Sequence, residues 1–367
     1  MIRSNCVFCN ENLNNIIYTI PQFPISYSSL SDVQDYQYTD LNWVECTNCD
    51  IIQLHNLIDP NILYNSGRNN TYNLPTWVQH HTSFYNFVKM NIKSTSICEV
   101  GGSSCYLARL FLNDNIKYKI IDIAEQHDTS INIEYINANC EDYNFSLDSC
   151  ILASHTFEHL YNPIKFIENI SSKKVKEVFI SVPNLKYQLD INSISLQLSI
   201  EHTFYFEEYD IIQLFSKYGY SLKIAENFKN HSHFLYFKYE ESPNTTIIIN
   251  KPLNRVNNLF TFFIQRELKI QNIKLTKDTF ILPGGGYGSV IYYYLKETNK
   301  NLIKGFLDND ITKQNKYLYG TNILTYPLSH TSKLSNISII LSAGPYTDEL
   351  ITQLQSINNN LDIILIA

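Results

Sequence analysis

Glycine is scarce in this chain: 11 residues in 367, with only two methionines and two tryptophans. Asparagine, isoleucine and tyrosine abound instead, a bias of the genome that makes each surviving glycine cluster more informative. No apolar run reaches the roughly eighteen residues of a membrane-spanning helix, which excludes a spanning segment. The opening stretch MIRSNCVFCN lacks the apolar run of a secretory leader, so a cytoplasmic protein is expected. There the eight cysteines stay reduced unless a metal holds them. A lysine- or arginine-rich patch is also missing, and the formal net charge is −7. That balance argues against broad nucleic-acid binding and against an anionic membrane surface. What is present is apolar: 44% hydrophobic residues against 17% charged, with 27 Tyr and 20 Phe. Such a chain buries a core readily, and its length is more than one core serves, so two or three domains are expected.

Four of the cysteines form two short pairs near the start. Cys6-Val-Phe-Cys9 and Cys46-Thr-Asn-Cys49 are separated by 36 residues, each flanked by polar turn residues. A Cys-x-x-Cys turn points two thiolates at one spot, and two such turns complete a tetrahedral sulfur site for Zn²⁺. A segment of this size has little core of its own, so the metal supplies much of its folding energy. Four sulfurs leave no position for water, so the zinc is structural. The segment 1–60 is read as a zinc ribbon. The linking stretch after it holds Tyr64, Tyr72 and a helical pattern over 76–92. The adjacent His80 and His81 point to different faces of that helix and read as surface or packing residues.

From about 96 to 240, short apolar runs alternate with amphipathic helical runs, the pattern of a parallel α/β sheet. Strands are expected at SICEV, YKIIDI, SCILAS and EVFISV, with helices between them. A late helix in EEYDIIQLFSKYGYSL is followed by a closing strand, HSHFLYFKY. After Pro243 the alternation restarts as a second, smaller Rossmann-like unit. The expected division is 1–60, 61–242 and 243–367.

The turn Glu99-Val-Gly101-Gly102-Ser103-Ser-Cys105 follows the first of these strands and opens a helix. Turns of this kind bring backbone amides and a helix N-terminus up to a nucleotide. The next strand ends in Asp122, where a carboxylate accepts from ribose hydroxyls. A pyrophosphate would want three glycines here, whereas this turn has two. S-adenosylmethionine, which has no phosphate, fits better. Glu141 and Asp142, after another strand, are candidates to read the adenine. The fourth strand runs into His155-Thr-Phe-Glu158-His159. These letters match an inverted zinc-peptidase motif, but they leave a strand and soon meet Pro163, and no third metal ligand is evident.

That segment, Asp148 to Pro163, resembles the post-nucleotide segment of class I S-adenosylmethionine-dependent methyltransferases. Val182-Pro-Asn184 resembles the following strand end of these enzymes, and Ser199-Ile-Glu201-His202-Thr-Phe-Tyr-Phe resembles the Glu-His segment before their late helix. The three-part order is similar to that of the deoxysugar C-methyltransferases, which carry an N-terminal zinc-binding domain and a C-terminal Rossmann-like domain. This resemblance covers nearly the whole chain. It implies a cytoplasmic methyltransferase acting on a nucleotide-linked sugar in polysaccharide biosynthesis, with S-adenosylmethionine and structural zinc as cofactors.

By the same resemblance, His202 is the base, Glu201 orients it, and His159 lies beside the sugar. Glu99, Gly101, Gly102, Ser103, Asp122, Glu141, Asp142 and His155 would line the cofactor site. In the family a Tyr-x-Tyr segment closes over the reactants. This chain has asparagines and a glycine in that place, which leaves Tyr64 and Tyr72 as stand-ins. The C-terminal Gly284-Gly-Gly286-Tyr-Gly288 turn, with Asp308 on the next strand, would by itself suggest a dinucleotide site. The resemblance implies contact with the substrate's nucleotide there. A carbon beside a ketone must lose a proton before it can accept a methyl group, whereas a hydroxyl needs only deprotonation as it attacks. O-methylation of a sugar hydroxyl is therefore the nearest alternative. An inactive nucleotide-binding scaffold and an RNA-modifying enzyme are alternatives from other classes. Neither the sugar nor the oligomeric state follows from the sequence.

Overall fold

The computed structural model describes the chain except residues 34, 65–74, 103, 125–128, 147–149, 186–198, 230, 242–254, 343 and 367. The side chains of 255–258 and 345 are likewise outside it. Ser103 and Tyr72 therefore lie outside the described residues, as does the junction near 243.

The first sixty residues hold β1 (Ile16–Pro24), β2 (Ser29–Leu30), β3 (Tyr38–Glu45) and β4 (Ile52–Leu54). The central unit holds β5 (Ser96–Val100), β6 (Lys117–Asp122), β7 (Glu134–Asn137), β8 (Cys150–Ser154) and β9 (Glu177–Pro183). It continues with β10 (Phe204–Tyr205), β11 (Tyr220–Phe228) and β12 (Ser232–Tyr239). Its main sheet has the order β11-β12-β9-β8-β5-β6-β7. Only β12 runs against the others, since it pairs antiparallel with both β9 and β11.

The inner strands carry continuous apolar runs because both faces are covered. Successive residues alternate between two cores, as a period of two requires. Ile97, Cys150, Leu152 and Phe179 pack with Phe84, Phe87, Leu107 and Phe111 from the helices Pro75–Asn91 and Tyr106–Phe111. Cys98, Val100, Ile151, Ala153 and Ile180 point the other way, onto Phe166 and Ile170 of helix Pro163–Ser172 and Phe215 of helix Glu208–Lys217. The expected helix EEYDIIQLFSKYGYSL ends early, at Lys217. Gly219 has φ of +87° and turns the chain, and Tyr220–Phe228 forms the edge strand that the sequence reading had missed.

The N-terminal segment does not close on itself. Its sheet has the order β1-β3-β4-β10, so a strand of the central unit completes it. Trp43 of β3 is fully buried and packs 5.3 Å from Tyr205 of β10. Arg3 fastens the junction, donating to the carbonyls of Leu54 (3.1 Å), Thr203 (2.8 Å) and Tyr161 (3.1 Å).

The C-terminal unit holds β13 (Thr279–Leu282), β14 (Ile303–Leu307), β15 (Tyr317–Leu318), β16 (Thr325–Tyr326), β17 (Ser338–Leu341) and β18 (Asp362–Leu365). Five of these make a parallel sheet, β16-β14-β13-β17-β18, the expected Rossmann-like unit. The sixth, β15, pairs with β2 and ties this unit to the N-terminal segment. No helix among the described residues is long and apolar enough to cross a membrane.

Candidate functional site

In an open α/β sheet, ligands collect beyond the carboxyl ends of the parallel strands. Here that edge is formed by the ends of β5, β6, β8 and β9, with the start of the antiparallel β12 beside them. The turn after β5 is built tightly. Gly101 has φ of +75°, and a Cβ there would lie 2.2 Å from Thr156 Oγ1. A Cβ on Gly102 would fall 2.4 Å from the carboxyl carbon of Glu99. Both glycines are therefore required by the turn itself. Cys105, which stands where a third glycine would be expected, has φ of 54°, a left-handed conformation.

Glu99 is 4% exposed, and its carboxylate accepts from Tyr118 Oη at 2.8 Å. Burial pushes its pKa up to about 7, and the nearby Asp122 adds to the shift. Asp122 ends β6, where its Oδ1 accepts from the Ala124 amide at 2.8 Å. The turn, Glu99 and Asp122 thus lie together on the strand ends, as the sequence suggested. They fit the adenosyl part of S-adenosylmethionine: the two glycines bring the backbone close, and the carboxylates can accept from hydroxyls.

Other expected contacts are engaged elsewhere. The Glu141 carboxylate accepts from the amides of Tyr161 (2.5 Å) and Asn162 (2.7 Å), and burial raises its pKa. It braces the loop before helix Pro163–Ser172. Asp142 is ion-paired with Lys165 on the surface. Glu141 is thus committed to the loop that leaves the carboxyl end of β8, and Asp142 to a surface ion pair.

The base candidates do come together. Thr203 N donates to Glu158 O at 3.1 Å, and Thr203 Oγ1 donates to Leu160 O at 2.7 Å. This places the segment of Glu201 and His202 against the 3₁₀ turn Phe157–His159. The rings of His159 and His202 are 4.9 Å apart, and Tyr64 Oη is 3.1 Å from His159 Nδ1. Glu158, His159 and His202 each place a ligand atom within 4.8 Å of the others. Glu158 is 1% exposed, with a pKa raised to about 7 by burial and lowered by His202. Glu201 N is held by Ser199 Oγ at 3.0 Å.

His155 faces the other side of Glu158. Its Nδ1 lies 3.0 Å from Glu158 Oε1 and its Nε2 lies 2.7 Å from Ser232 Oγ. His80 and His231 pack on it, and Trp77 covers all three. His80 and His81 are both buried, so the packing half of their expectation describes them and the surface half does not. The sequence reading did not bring His80, His231 or Ser232 to this edge. The spacing His155-x-x-Glu158-His159 was the local signal for Glu158. His231 had none, because its place depends on the register of β12 with β9.

The two Cys-x-x-Cys turns have the same backbone. In each, the amide of the residue after the second cysteine donates to the carbonyl of the first: Asn10 to Cys6 (3.0 Å) and Asp50 to Cys46 (2.8 Å). Asn10 and Asp50 both have positive φ, 62° and 57°. The turns face each other with Cys6–Cys49 sulfurs 3.5 Å apart and Cys9–Cys46 sulfurs 3.4 Å apart. All four sulfurs lie within 4.8 Å of one another. Tetrahedral zinc–thiolate bonds separate sulfurs by about 3.8 Å, so the donor set fits zinc. The cluster packs on the central core through Val7, Phe8 and Ile51.

In the C-terminal unit, a Cβ on Gly288 would lie 2.4 Å from Pro283 O, so this glycine lets helix Gly286–Tyr294 approach β13. Gly284 packs under Thr325 and Phe306. Asp308 is buried and paired with Lys313 at 2.9 Å, and Lys313 Nζ borders Gly285. The turn is thus accounted for largely by packing, with a buried ion pair at its mouth.

No family model matches the chain, and no curated protein does. Solved structures match about half of it. Magnesium protoporphyrin IX methyltransferase (ChlM) from Synechocystis PCC 6803, with bound SAH, shares 13% identity over 48% of this chain and 91% of its own, with a TM-score of 0.37. The PH0226 protein from Pyrococcus horikoshii OT3 shares 10% over 50% of this chain and 97% of its own, with a TM-score of 0.38. Burkholderia thailandensis 1,6-didemethyltoxoflavin-N1-methyltransferase shares 9% over 54% and 99%, with a TM-score of 0.39. At such identities and scores these likenesses decide nothing about the chemistry.

Proposed function

We propose that the chain is an S-adenosylmethionine-dependent methyltransferase acting on a nucleotide-linked deoxysugar, at a carbon beside a ketone. The observation that carries the first half is the main sheet. Its order, with one antiparallel strand second from the edge, is that of class I methyltransferases, and it sets the Glu99–Gly102 turn and Asp122 on the strand ends. The second half rests on the residues gathered beside that turn and on the resemblance of the whole chain.

When bound, S-adenosylmethionine supplies an electrophilic methyl carbon. Glu99, Gly101, Gly102 and Asp122 would hold it. The work left to the chain is to position the acceptor and to take its proton. His202 is the proposed base, receiving the α-proton on an imidazole nitrogen. Glu158 brings a carboxylate oxygen within 4.8 Å of its ring nitrogen, and Glu201 precedes it in the chain. His159, whose Nδ1 lies 3.1 Å from Tyr64 Oη, would donate a hydrogen bond to the oxygen that becomes negative. The C-terminal unit, with Lys313 at the mouth of its glycine turn, would take the nucleotide. Zinc on Cys6, Cys9, Cys46 and Cys49 would fix the N-terminal sheet that presents β4 to β10 and so seats the Glu201–His202 segment.

The test is His202→Ala assayed with a keto nucleotide sugar. Turnover and the exchange of the sugar's α-proton with solvent should both vanish, while S-adenosylmethionine affinity by calorimetry stays near that of the wild type. Undiminished exchange in this variant would remove His202 as the base.

A further inference from the structure

His80 on helix Pro75–Asn91, His155 after β8 and His231 before β12 form a nearly equilateral triangle. Their ring centroids are 5.0, 5.2 and 5.4 Å apart. One nitrogen from each ring lies within 4.8 Å of the nitrogens of the other two. We propose that this triad is a binding site for a divalent transition-metal ion that prefers imidazole, with zinc as the reference case. It is separate from the four-cysteine cluster, and its geometry stands whether or not the chain transfers methyl groups.

The spacing comes first. With a zinc–nitrogen bond of about 2.05 Å and the ring centre about 1.1 Å further on, tetrahedral angles put imidazole centroids about 5.2 Å apart. The three observed separations straddle that value. Next is the outer hydrogen bonding. His80 Nε2 lies 2.8 Å from Ser181 Oγ, His155 Nδ1 3.0 Å from Glu158 Oε1, and His231 Nε2 3.5 Å from Tyr346 Oη. Metal-bound histidines characteristically bind an outer partner in this way, and a carboxylate is among the commonest. The nitrogens left to converge are His80 Nδ1, His155 Nε2 and His231 Nδ1.

Those inner nitrogens are poorly served by the protein itself. Among the described residues, His80 Nδ1 is buried without a hydrogen-bond partner. The other two share one hydroxyl, Ser232 Oγ, at 2.7 Å from His155 and 2.5 Å from His231. Ser232 is itself fully buried, so its hydroxyl is held between two of the three rings, beside the space the inner nitrogens enclose. Aromatic packing also sets rings about 5 Å apart. It does not call for polar edges to converge, and it leaves a buried nitrogen unsatisfied. Trp77 covers one face of the triangle, 5.2, 5.0 and 4.9 Å from the three rings, and so shields the site from water on that side. Three neutral imidazoles suit zinc, cobalt, nickel or copper, and disfavour magnesium and calcium, which take oxygen ligands.

The test uses the full chain with its cysteine cluster loaded with zinc, titrated with Co²⁺. The expected result is one further equivalent of metal per chain. Visible cobalt absorption should grow without the intense near-ultraviolet band of cobalt–thiolate bonds. His231→Ala and His80→Gln should each lose that equivalent while keeping the wild-type circular dichroism. A second measurement needs no variant. In the cobalt form, proton NMR should show three exchangeable, strongly shifted imidazole N–H signals, one for each ring bound to its outer partner. A folded wild-type protein that takes up no second equivalent at saturating Co²⁺ would overturn the proposal. So would a second equivalent that survives both substitutions, or a cobalt form without shifted imidazole protons.

Discussion

Gly101→Ala probes the turn on which the cofactor reading depends. The φ of +75° at this residue costs an L-amino acid about 1–2 kcal/mol. The new Cβ would also lie 2.2 Å from Thr156 Oγ1, 2.6 Å from its Cγ2 and 2.9 Å from its Cβ. Thr156 is not free to swing away, because its hydroxyl donates to Val100 O (3.1 Å) and sits 3.3 Å from Ser154 O. Overpacking of this kind costs about 1–3 kcal/mol, so the total destabilisation is roughly 2–5 kcal/mol. Only the steric part is shared with Thr156. The double variant Gly101→Ala/Thr156→Ala should therefore recover about 1–3 kcal/mol relative to the sum of the single changes, leaving the backbone cost. Urea unfolding would be followed by fluorescence in a Trp43→Phe background, where Trp77 is the remaining tryptophan. If Gly101→Ala unfolds within about 0.5 kcal/mol of its parent, or the two changes simply add, the described packing of the turn is refuted.

Other expectations follow from the same observations. Glu99 has its pKa raised from 4.5 to about 7, so folding favours its protonated form. Its contribution is fully present below pH 4.5 and is lost as the pH rises through 7. Relative to the wild type, Glu99→Gln should gain stability across that window, by roughly 3 kcal/mol in the absence of cofactor. A flat difference curve between the two proteins would show that Glu99 ionises normally. Stripping zinc with a strong chelator, or Cys46→Ser, should loosen the N-terminal sheet and expose the fully buried Trp43 to quencher, with a loss of several kcal/mol. Unchanged Trp43 quenching in the metal-free protein would mean that the four cysteines hold nothing. Arg3→Ala should lower turnover by unseating the Thr203 backbone beside His202, while S-adenosylmethionine affinity remains within about threefold. A larger drop in cofactor affinity than in turnover would contradict the assigned role of Arg3.

Much of this architecture was legible in local pattern. The paired cysteines, the apolar runs of β5, β8 and β9, and the glycine turn ending in Glu99 and Gly102 all carry their signal within a few residues. The helix over 75–91 was legible for the same reason, through its period. What failed was whatever depends on pairing between distant segments. β11 was absorbed into the preceding helix, because Gly219 is a single residue in an otherwise helical composition. The two residues of β10 gave no hint that they complete the N-terminal sheet, so the boundary at 60 divides a sheet that the fold keeps whole. The adjacent His80 and His81 looked like packing residues. Only the register of β12 with β9 brings His231 and Ser232 to the side of His80 and His155.

The most direct test of methyl transfer to a keto sugar is a turnover assay in deuterated buffer, read by mass spectrometry. The zinc-loaded protein and S-adenosylmethionine would be offered matched keto and hydroxy nucleotide sugars. A keto sugar should gain one methyl group, with enzyme-dependent deuterium exchange at the carbon beside its ketone. Methylation confined to hydroxy sugars, or none at all by a protein that binds S-adenosylmethionine, would contradict the account.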